Sequence, residues 1–446
     1  MTLIEIFNNI ANAIRYKLNT TDKMLVEDMS DKIRSISSNT ISSGYLLEIK
    51  TYPNSIVTVS KEGNTIKSTT SDSNGIANIY FNDNDDNGIW NININKDGLE
   101  YNDTWSYDVY LKSTKVCMYG GLSKYNGTVE ELSAARYWLA ATTVGNYALF
   151  GGGGKTNNVY TPMVDSYTSS LTHGNPNNLS DTKIHYDATT VGNYALFAGG
   201  SYNTIVVDTY TSSITKGTAA DLSKARYHLA ATSVGNYALF GGGNDSTNTA
   251  YATVDTYNTS LSKSTAKDFS QPRSKLAATT VGNYALFAGG HAYITSNYIE
   301  TYDVGLSKGI TSFIMNLIKY DLSATTVGSY ALFGGGYAGG DYTPLVTGIT
   351  SSLSKVAVDN LSENTFTKGA ATTVANYAVF GGGSNTNGNG AVDNYNISLT
   401  KSTSAPFGYY ISDLAATSVG DYAIFGGGMD KTPASSKVVN IYIATD

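Results

Sequence analysis

Few residues of this chain have the types and spacing that metal or nucleophilic chemistry requires. The single cysteine, Cys117, excludes an intramolecular disulfide framework and any zinc site built from several thiolates. The four histidines, His173, His185, His228 and His291, are far apart in the sequence. We therefore predict that the protein holds no metal and uses no cofactor.

The carboxylates and glycine runs also predict structure rather than catalysis. Asp83–Gly88 begins like a calcium loop, but Ile94 stands where the twelfth position needs a bidentate glutamate, so we predict a solvated turn. Gly151–Lys155 lacks the spacing of a phosphate-binding loop. Most acids further on lie in a repeated Asp-x-Tyr element, such as Asp255-Thr256-Tyr257, for which we expect a structural role. The sequence thus favours a protein that is not an enzyme.

Composition narrows the class of partner. Charged residues make up 15% of the chain, well below the usual value of about 25%, and the net charge is −7 with no basic block. This balance excludes binding to a nucleic-acid backbone. No apolar run approaches the roughly 18 residues of a membrane span, so we predict no membrane insertion. The N-terminus also lacks the basic start of a secretory signal peptide.

A 13-residue string, ATTVGNYALFGGG, organises the last three-quarters of the chain. Its copies recur at intervals of 43–47 residues, a period that suits four-stranded units and is too long for ankyrin or tetratricopeptide repeats. The copies, here called repeats 1 to 7, begin at Ala141, Ala188, Ala231, Ala278, Ala324, Ala371 and Ala416.

Each repeat contains the signals of four strands. In repeat 1, Ala140–Val144 is built of small and β-branched residues, and Gly145-Asn146 is typical of a two-residue type II′ hairpin turn. Tyr147–Phe150 then predicts a buried strand, which ends at a glycine run. A third strand is predicted at Val164–Tyr167, and a more polar fourth segment leads into the next repeat.

These residues resemble the kelch family of β-propellers. The family pattern is an arginine before the first strand, a hydrophobic second strand ending in paired glycines, and an acidic-x-Tyr element. In repeat 3 these are Arg226, Leu239–Gly242 and Asp255–Tyr257. The resemblance implies a seven-bladed propeller over residues 116–446. Repeat 7 stops after its third strand, and Met118–Lys124 resembles the end of a third strand and the start of a fourth, so we predict that residues 116–128 complete the last blade. Repeat 5 departs from the pattern, since Val346–Ile349 contains no acid.

The first third of the chain predicts two smaller modules. An apolar face at steps of three and four residues predicts a helical hairpin over residues 1–38, which serves attachment or oligomerisation, with a trimer favoured. The alternative is a helical hairpin that packs on its own chain. Short alternating strands over residues 45–112 resemble the immunoglobulin-like or prealbumin-like spacer sandwiches that are common in phage structural proteins and bacterial surface proteins. The attachment residues are Leu3, Phe7, Ile10, Ile14 and Leu18.

The loops between second and third strands differ among repeats while the strands hardly change. Loops on a rigid scaffold commonly carry binding, and tyrosine among Asn, Ser and Thr provides a rigid amphipathic contact surface. The alternative is that these are solvated loops without a ligand. The candidate ligand-binding residues are Tyr160, Tyr202, Tyr251, His291, Tyr293, Tyr298, Tyr337, Tyr342 and Asn385.

From these resemblances we expect a structural component of the tail of a phage or phage-like particle. Its N-terminus would bind other tail or baseplate proteins, and its propeller would bind a glycan or surface protein of the bacterial cell. Such a protein assembles in the host cytoplasm and is released by lysis. The alternatives are a propeller enzyme that degrades cell-surface polysaccharide and an intracellular kelch interaction protein.

Overall fold

The structure, a computed structural model, shows a mainly β chain. It describes residues 44–50, 54–61, 64–72, 76–82, 88–96, 99–107, 116–118, 122–125, 129–200, 204–291, 298–314, 319–362, 368–383 and 390–444. Every regular element within these ranges is a strand, and none of them contains a helix of the length and apolar character that a bilayer crossing needs. The chain divides into two compact units, Met1–Tyr119 and Gly120–Asp446. The predicted helical hairpin and the candidate calcium loop lie outside the described residues.

The N-terminal unit contains two sheets. Side chains of its second strand alternate, since Val57 and Val59 are buried whereas Ile56 is 52% exposed, as expected for a sheet with one covered face. The three-stranded sheet has the spatial order Ile76–Asn82, Gly44–Lys50, Val116–Met118. The four-stranded sheet has the order Asn64–Thr70, Ile56–Lys61, Gly88–Lys96, Leu99–Tyr107.

The C-terminal unit consists of seven four-stranded antiparallel sheets, one for each repeat. The strands of repeat 1 are Ala140–Val144, Tyr147–Gly151, Val164–Thr168 and His173–Gly174, and those of repeat 2 are Asp187–Val191, Tyr194–Ala198, Val207–Thr211 and Lys216–Ala219. The strands of repeat 3 are Ala230–Val234, Tyr237–Gly241, Val254–Asn258 and Lys263–Ala266, and those of repeat 4 are Ser274–Val281, Tyr284–His291, Tyr298–Asp303 and Lys308–Ile314. The strands of repeat 5 are Ser323–Val327, Tyr330–Gly334, Val346–Thr350 and Lys355–Val356, and those of repeat 6 are Ala370–Val374, Tyr377–Gly381, Val392–Asn396 and Lys401–Ser404. The sheet of repeat 7 contains Ala415–Val419, Tyr422–Gly426, Val439–Ala444 and Leu122–Lys124. Two short ribbons are added, Gly154–Lys155 with Val159–Tyr160 and Tyr337–Ala338 with Asp341–Tyr342.

The last sheet takes its fourth strand from the start of the unit. Leu122–Lys124 pairs antiparallel with Val439–Ala444, which was expected because repeat 7 ends after its third strand. Joining the first and last strands of the C-terminal unit in one sheet removes the free edge that repeat 7 would otherwise present. Val116–Met118 does not take part and pairs in parallel with Gly44–Lys50 in the N-terminal unit.

The first strands of the seven repeats contact one another in cyclic order, and the strand of repeat 7 contacts that of repeat 1. Small side chains permit this close approach, and threonine hydroxyls join neighbouring strands. The Oγ1 atoms of Thr142 and Thr190 are 2.9 Å apart, and those of Thr143 and Thr417 are 2.8 Å apart between repeats 1 and 7. These bonds satisfy the hydroxyl groups where strands from different sheets meet.

Six of the seven sheets bury an aromatic pair formed by their second and third strands. In repeat 3 the rings of Phe240 and Tyr257 meet edge to face with centroids 5.9 Å apart, and the tyrosine hydroxyl donates to the carbonyl of Ala220 at 2.8 Å. The same pair recurs in every repeat except repeat 5, where Ile349 takes the place of the tyrosine. An apolar ring that still bonds its hydroxyl suits a buried position.

Candidate functional site

One residue from each repeat, three positions before its first alanine, converges on a common cavity. All seven have a left-handed backbone, with φ between +52° and +59°, which costs a non-glycine residue about 1–2 kcal/mol. In six of these residues the backbone N–H donates to the carbonyl of the equivalent residue in the preceding repeat, with N–O distances of 2.7–3.1 Å. These hydrogen bonds offset the cost of the left-handed backbone. The seven-residue ring consists of Trp138, His185, His228, Lys275, Asp321, Lys368 and Asp413.

A buried cation two residues before the ring position fixes this segment in five repeats. In repeat 3 the Arg226 guanidinium donates to the carbonyls of Gly242 and Thr253, at 2.7 and 2.5 Å, and to the Asp255 carboxylate at 2.8 Å. These bonds connect the segment before the first strand to the second and third strands. The equivalent cations are Arg136, Lys183, Arg273 and Lys319.

Glycine at the end of the second strand allows the ring segment to approach. Gly243 has φ +98°, and a Cβ atom there would lie 2.9 Å from the carbonyl oxygen of Tyr227. A side chain would displace the backbone beside His228. The glycine run therefore positions the ring, which accounts for its recurrence after every second strand.

The ring has an aromatic half and a charged half. The rings of Trp138 and His185 are 3.9 Å apart between centroids, and those of His185 and His228 are 4.3 Å apart. Burial lowers the pKa of His185 to about 2 and that of His228 to about 4, so both imidazoles are neutral at pH 7.

In the charged half, lysine and aspartate alternate. The Lys275 and Asp321 side chains approach to 3.7 Å, as do those of Lys368 and Asp413. Burial raises the pKa of both aspartates above the ordinary value. The cavity that the ring encloses has a volume of about 200 Å³.

A larger groove of about 800 Å³ lies beside the ring, between repeats 3 and 4. Its lining shares His228 and Lys275 with the ring, so the two cavities adjoin. Among the described residues that line it, none carries a carboxylate. They are Tyr227, His228, Asn244, Thr247, Asn248, Thr249, Ala250, Gln271, Pro272, Ser274, Lys275, His291 and Tyr320.

Aromatic rings continue from the groove onto the neighbouring ribbon. The Tyr320 ring contacts His291 and Tyr337, with centroids 5.4 and 5.3 Å apart, and Tyr337 contacts Tyr342 at 5.5 Å. The Lys275 ammonium lies 5.4 Å from the centre of the Tyr320 ring. Tyr320 therefore joins the charged ring residue to an aromatic row that reaches the exposed Tyr342.

The sequence-predicted site residues fall into three groups. The structure brings three of them together, since His291 lines the groove and Tyr337 and Tyr342 continue its aromatic row. Three others, Tyr160, Tyr251 and Tyr298, are not among the described residues that line the groove. The remainder lie outside the described residues: Tyr202, Tyr293, Asn385 and the attachment residues Leu3, Phe7, Ile10, Ile14 and Leu18.

Several groove residues escaped the sequence analysis because they precede the first strand instead of following the second. Tyr227, Gln271 and Tyr320 belong to these segments, and Lys275 lies at the start of the first strand of repeat 4. Aligning the seven repeats on their first alanine would have revealed the ring position, since no other column so close to the common string mixes tryptophan, histidine, lysine and aspartate. Mixed chemistry at one position of near-identical repeats is a signal of function.

Metal ligands do not gather within the part of the chain that the structure describes, where no three of His, Cys, Asp and Glu come together as a metal site. His173 instead contacts the Asp165 carboxylate, 2.7 Å away, in an outer strand. Comparison with known proteins gives no assignment, since no family model matches the chain and no curated protein matches it.

Proposed function

We propose that the protein is a non-enzymatic tail component of a phage or phage-like particle that binds a glycan of the bacterial surface. The observation that carries the binding function is the groove between repeats 3 and 4. Its volume of about 800 Å³ falls within the range of roughly 300–1,000 Å³ typical of small-ligand pockets. The phage origin rests on the sequence resemblances alone.

In this proposal the seven sheets are the blades of a kelch-like propeller, and residues 45–112 form an immunoglobulin-like or prealbumin-like spacer. The cyclic contacts of the first strands and the closure by Leu122–Lys124 support the propeller. The helical hairpin of residues 1–38 would attach the protein to other tail or baseplate proteins and oligomerise it.

The chemistry of the groove suits a sugar ligand. The faces of Tyr227 and Tyr320 provide apolar surface for stacking on pyranose rings. Asn248 and Gln271 carry amide groups that both donate and accept, which matches the hydroxyl groups of a sugar. Each such bond contributes only about 0.5–1.5 kcal/mol, so tight attachment to a cell would come from several copies on one particle.

The proposal of binding without cleavage is supported by the lining of the groove, in which no described residue is an acid. Glycoside hydrolysis generally requires two carboxyl groups about 5–10 Å apart. Asp245 lies between the groove residues Asn244 and Thr247 in sequence but does not line the groove, and its carboxylate accepts hydrogen bonds from Thr247, Thr249 and Tyr251. The acids of the third strands, Asp255 and Glu300, are buried in contacts with Arg226 and Arg273. Their bonds to these cations give them a structural role.

The test is binding of the purified chain to an array of bacterial surface polysaccharides, including capsules and teichoic acids. We expect the double variant Tyr320→Ala and Gln271→Ala to bind its polysaccharide at least tenfold more weakly, with a nearly unchanged melting temperature. Tyr160→Ala is the control, because Tyr160 is a partly buried tyrosine in the short ribbon of repeat 1 and does not line the groove.

Two results would overturn the proposal. Equal binding by the double variant and the native chain would exclude the groove as the binding surface. Shortening of the polysaccharide during incubation, measured by size-exclusion chromatography, would show that the protein is an enzyme that cleaves its ligand.

A further inference from the structure

The cavity of the seven-residue ring has the features of a binding site separate from the groove. Its walls come from all seven repeats, and its volume of about 200 Å³ is below that of typical drug-sized pockets, about 300–1,000 Å³. A ligand bound there would be a single small molecule and not an oligosaccharide. Its recognition depends on the ring side chains, since most of the ring backbone groups already bond one another.

The charges of the ring select for a ligand that carries both signs. Lys275, Asp321, Lys368 and Asp413 follow one another around the cavity, so their formal charges sum to zero. An ion of one sign would gain from two of these groups and be repelled by the other two. A molecule with adjacent positive and negative groups can place each beside its opposite.

The ion pairs of the ring leave capacity for such a ligand. Their N–O distances of 3.7 Å exceed the 2.7–3.2 Å of a good hydrogen bond. The side chains of Lys275 and Lys368 are 35% and 39% exposed, so both ammonium groups reach the solvent-accessible space. A ligand that inserts between lysine and aspartate replaces weak contacts with short, charge-assisted bonds.

The aromatic half supplies the apolar contact. Trp138 is half-buried and stacks on His185, and the two neutral imidazoles next to it add no charge. An aromatic or aliphatic group of the ligand would pack there. The indole face also attracts an ammonium group that lies over it.

We propose that the ring cavity binds a small zwitterion, such as a free α-amino acid, with its carboxylate beside Lys368, its ammonium beside Asp413 and its apolar group against Trp138. This inference does not depend on the proposed glycan binding or on a phage origin. It concerns a site whose residues differ from those of the groove except at His228 and Lys275.

Isothermal titration calorimetry of the full chain with three related probes tests the inference. Phenylalanine carries both charges, N-acetylphenylalanine carries only the carboxylate, and phenylalanine methyl ester carries only the ammonium. We expect phenylalanine to bind at least tenfold more tightly than either derivative. Lys368→Met and, separately, Asp413→Asn should each weaken phenylalanine binding about tenfold. Lys275→Met, the second lysine variant of the ring, lies on the other side of Asp321 and should also weaken phenylalanine binding.

The matched controls are Lys437→Met and Glu131→Gln, since these two residues form an exposed ion pair that does not line the cavity. Melting temperatures establish that each variant is folded. The inference is overturned if phenylalanine does not bind, if either single-charge derivative binds as tightly, or if the control variants weaken binding as much as the ring variants. Failure of polysaccharide binding with intact phenylalanine binding would instead count against the proposed function alone.

Discussion

Repeats 3 and 5 hold a buried cation at the same place in the sheet but surround it differently. In repeat 3, Arg226 bonds the Asp255 carboxylate, and Lys263 approaches the same carboxylate to 3.3 Å. In repeat 5, Lys319 donates only to carbonyl oxygens, of which Leu345 is the closer at 2.7 Å. Thr347 stands at the position of the acid, and its hydroxyl has no hydrogen-bond partner among the described residues.

The difference shows what the acidic-x-Tyr element does in these repeats. Its carboxylate neutralises the cation that fixes the ring segment, so the ion pair belongs to the scaffold and not to a reaction. Where the acid is missing, burial lowers the pKa of Lys319 to about 7. The two repeats therefore provide a natural pair for measuring the free energy that the carboxylate contributes.

The largest effect is expected from removing the acid of repeat 3. Asp255→Asn keeps the shape of the side chain but leaves the Arg226 charge buried without a counter-ion, which typically costs about 3–5 kcal/mol. Urea unfolding of the C-terminal unit measures the change. Thr347→Val is the matched variant of repeat 5 and should be nearly neutral, because it removes a hydroxyl without a described partner. Equal losses in both variants would contradict the comparison.

Replacing the unpaired cation should stabilise the protein in a pH-dependent way. Lys319→Met removes a buried charge, and we expect a gain of about 1–4 kcal/mol at pH 6. In the native chain, folded Lys319 has a pKa of about 7, whereas lysine in the unfolded chain has its ordinary pKa of 10.5. Between these values the unfolded state holds the extra proton, so native stability rises with pH by up to about 1.4 kcal/mol per unit.

The stability gap between Lys319→Met and the native chain should thus narrow from pH 7 toward pH 10 and remain constant below pH 7. Unfolding curves at pH 6, 8 and 9.5 measure it. Lys355→Met, at a position that is not fully buried in the same repeat, is the control and should show no such narrowing. A gap independent of pH would mean that Lys319 is not the titrating group.

Supplying the missing acid should give a smaller gain. Thr347→Asp places a carboxylate where repeat 2 has Asp208, which lies 3.6 Å from the buried Lys183. We expect about 1–2 kcal/mol of stabilisation at pH 6, because the cost of burying the carboxylate cancels part of its attraction to the Lys319 ammonium group. Thr347→Asn, similar in size but uncharged, should give no gain. A gain from both variants would indicate packing and not charge.

The repeated string predicted the scaffold well because its signals are local. Ala140–Val144, the turn at Gly145 and Tyr147–Gly151 lie where expected, and the mainly β class is confirmed. Small residues, paired glycines and β-branched residues act over only a few positions. Arg226 and Asp255 were each expected as elements of the repeated pattern, but their pairing was not predicted, since 29 residues separate them in the sequence.

The candidate site could be predicted only in part. His291 was expected on a loop, but its neighbours Tyr320 and Gln271 come from other segments, and no spacing in the sequence relates them. The contacts arise from the order of the sheets and from the left-handed backbone at the ring residues. Lysine and tryptophan carry no local signal for that conformation, which normally favours glycine and, among other residues, asparagine, aspartate and histidine.

The smallest expected effect concerns a turn in which repeat 6 departs from the others. Ala375 occupies the first loop position of the first hairpin with φ +45°, where the other repeats have glycine, such as Gly235 at φ +54°. Alanine in the left-handed region is strained, while glycine loses more chain entropy on folding, so Ala375→Gly should stabilise by only about 0.5–1 kcal/mol. The reciprocal change, Gly235→Ala, introduces a Cβ atom 3.2 Å from the Val304 side chain of the next repeat and should destabilise by at least as much. Melting temperatures measured side by side compare the two variants. If Ala375→Gly is destabilising, the hairpin of repeat 6 depends on its methyl group for packing, and the turn is not interchangeable among the seven repeats.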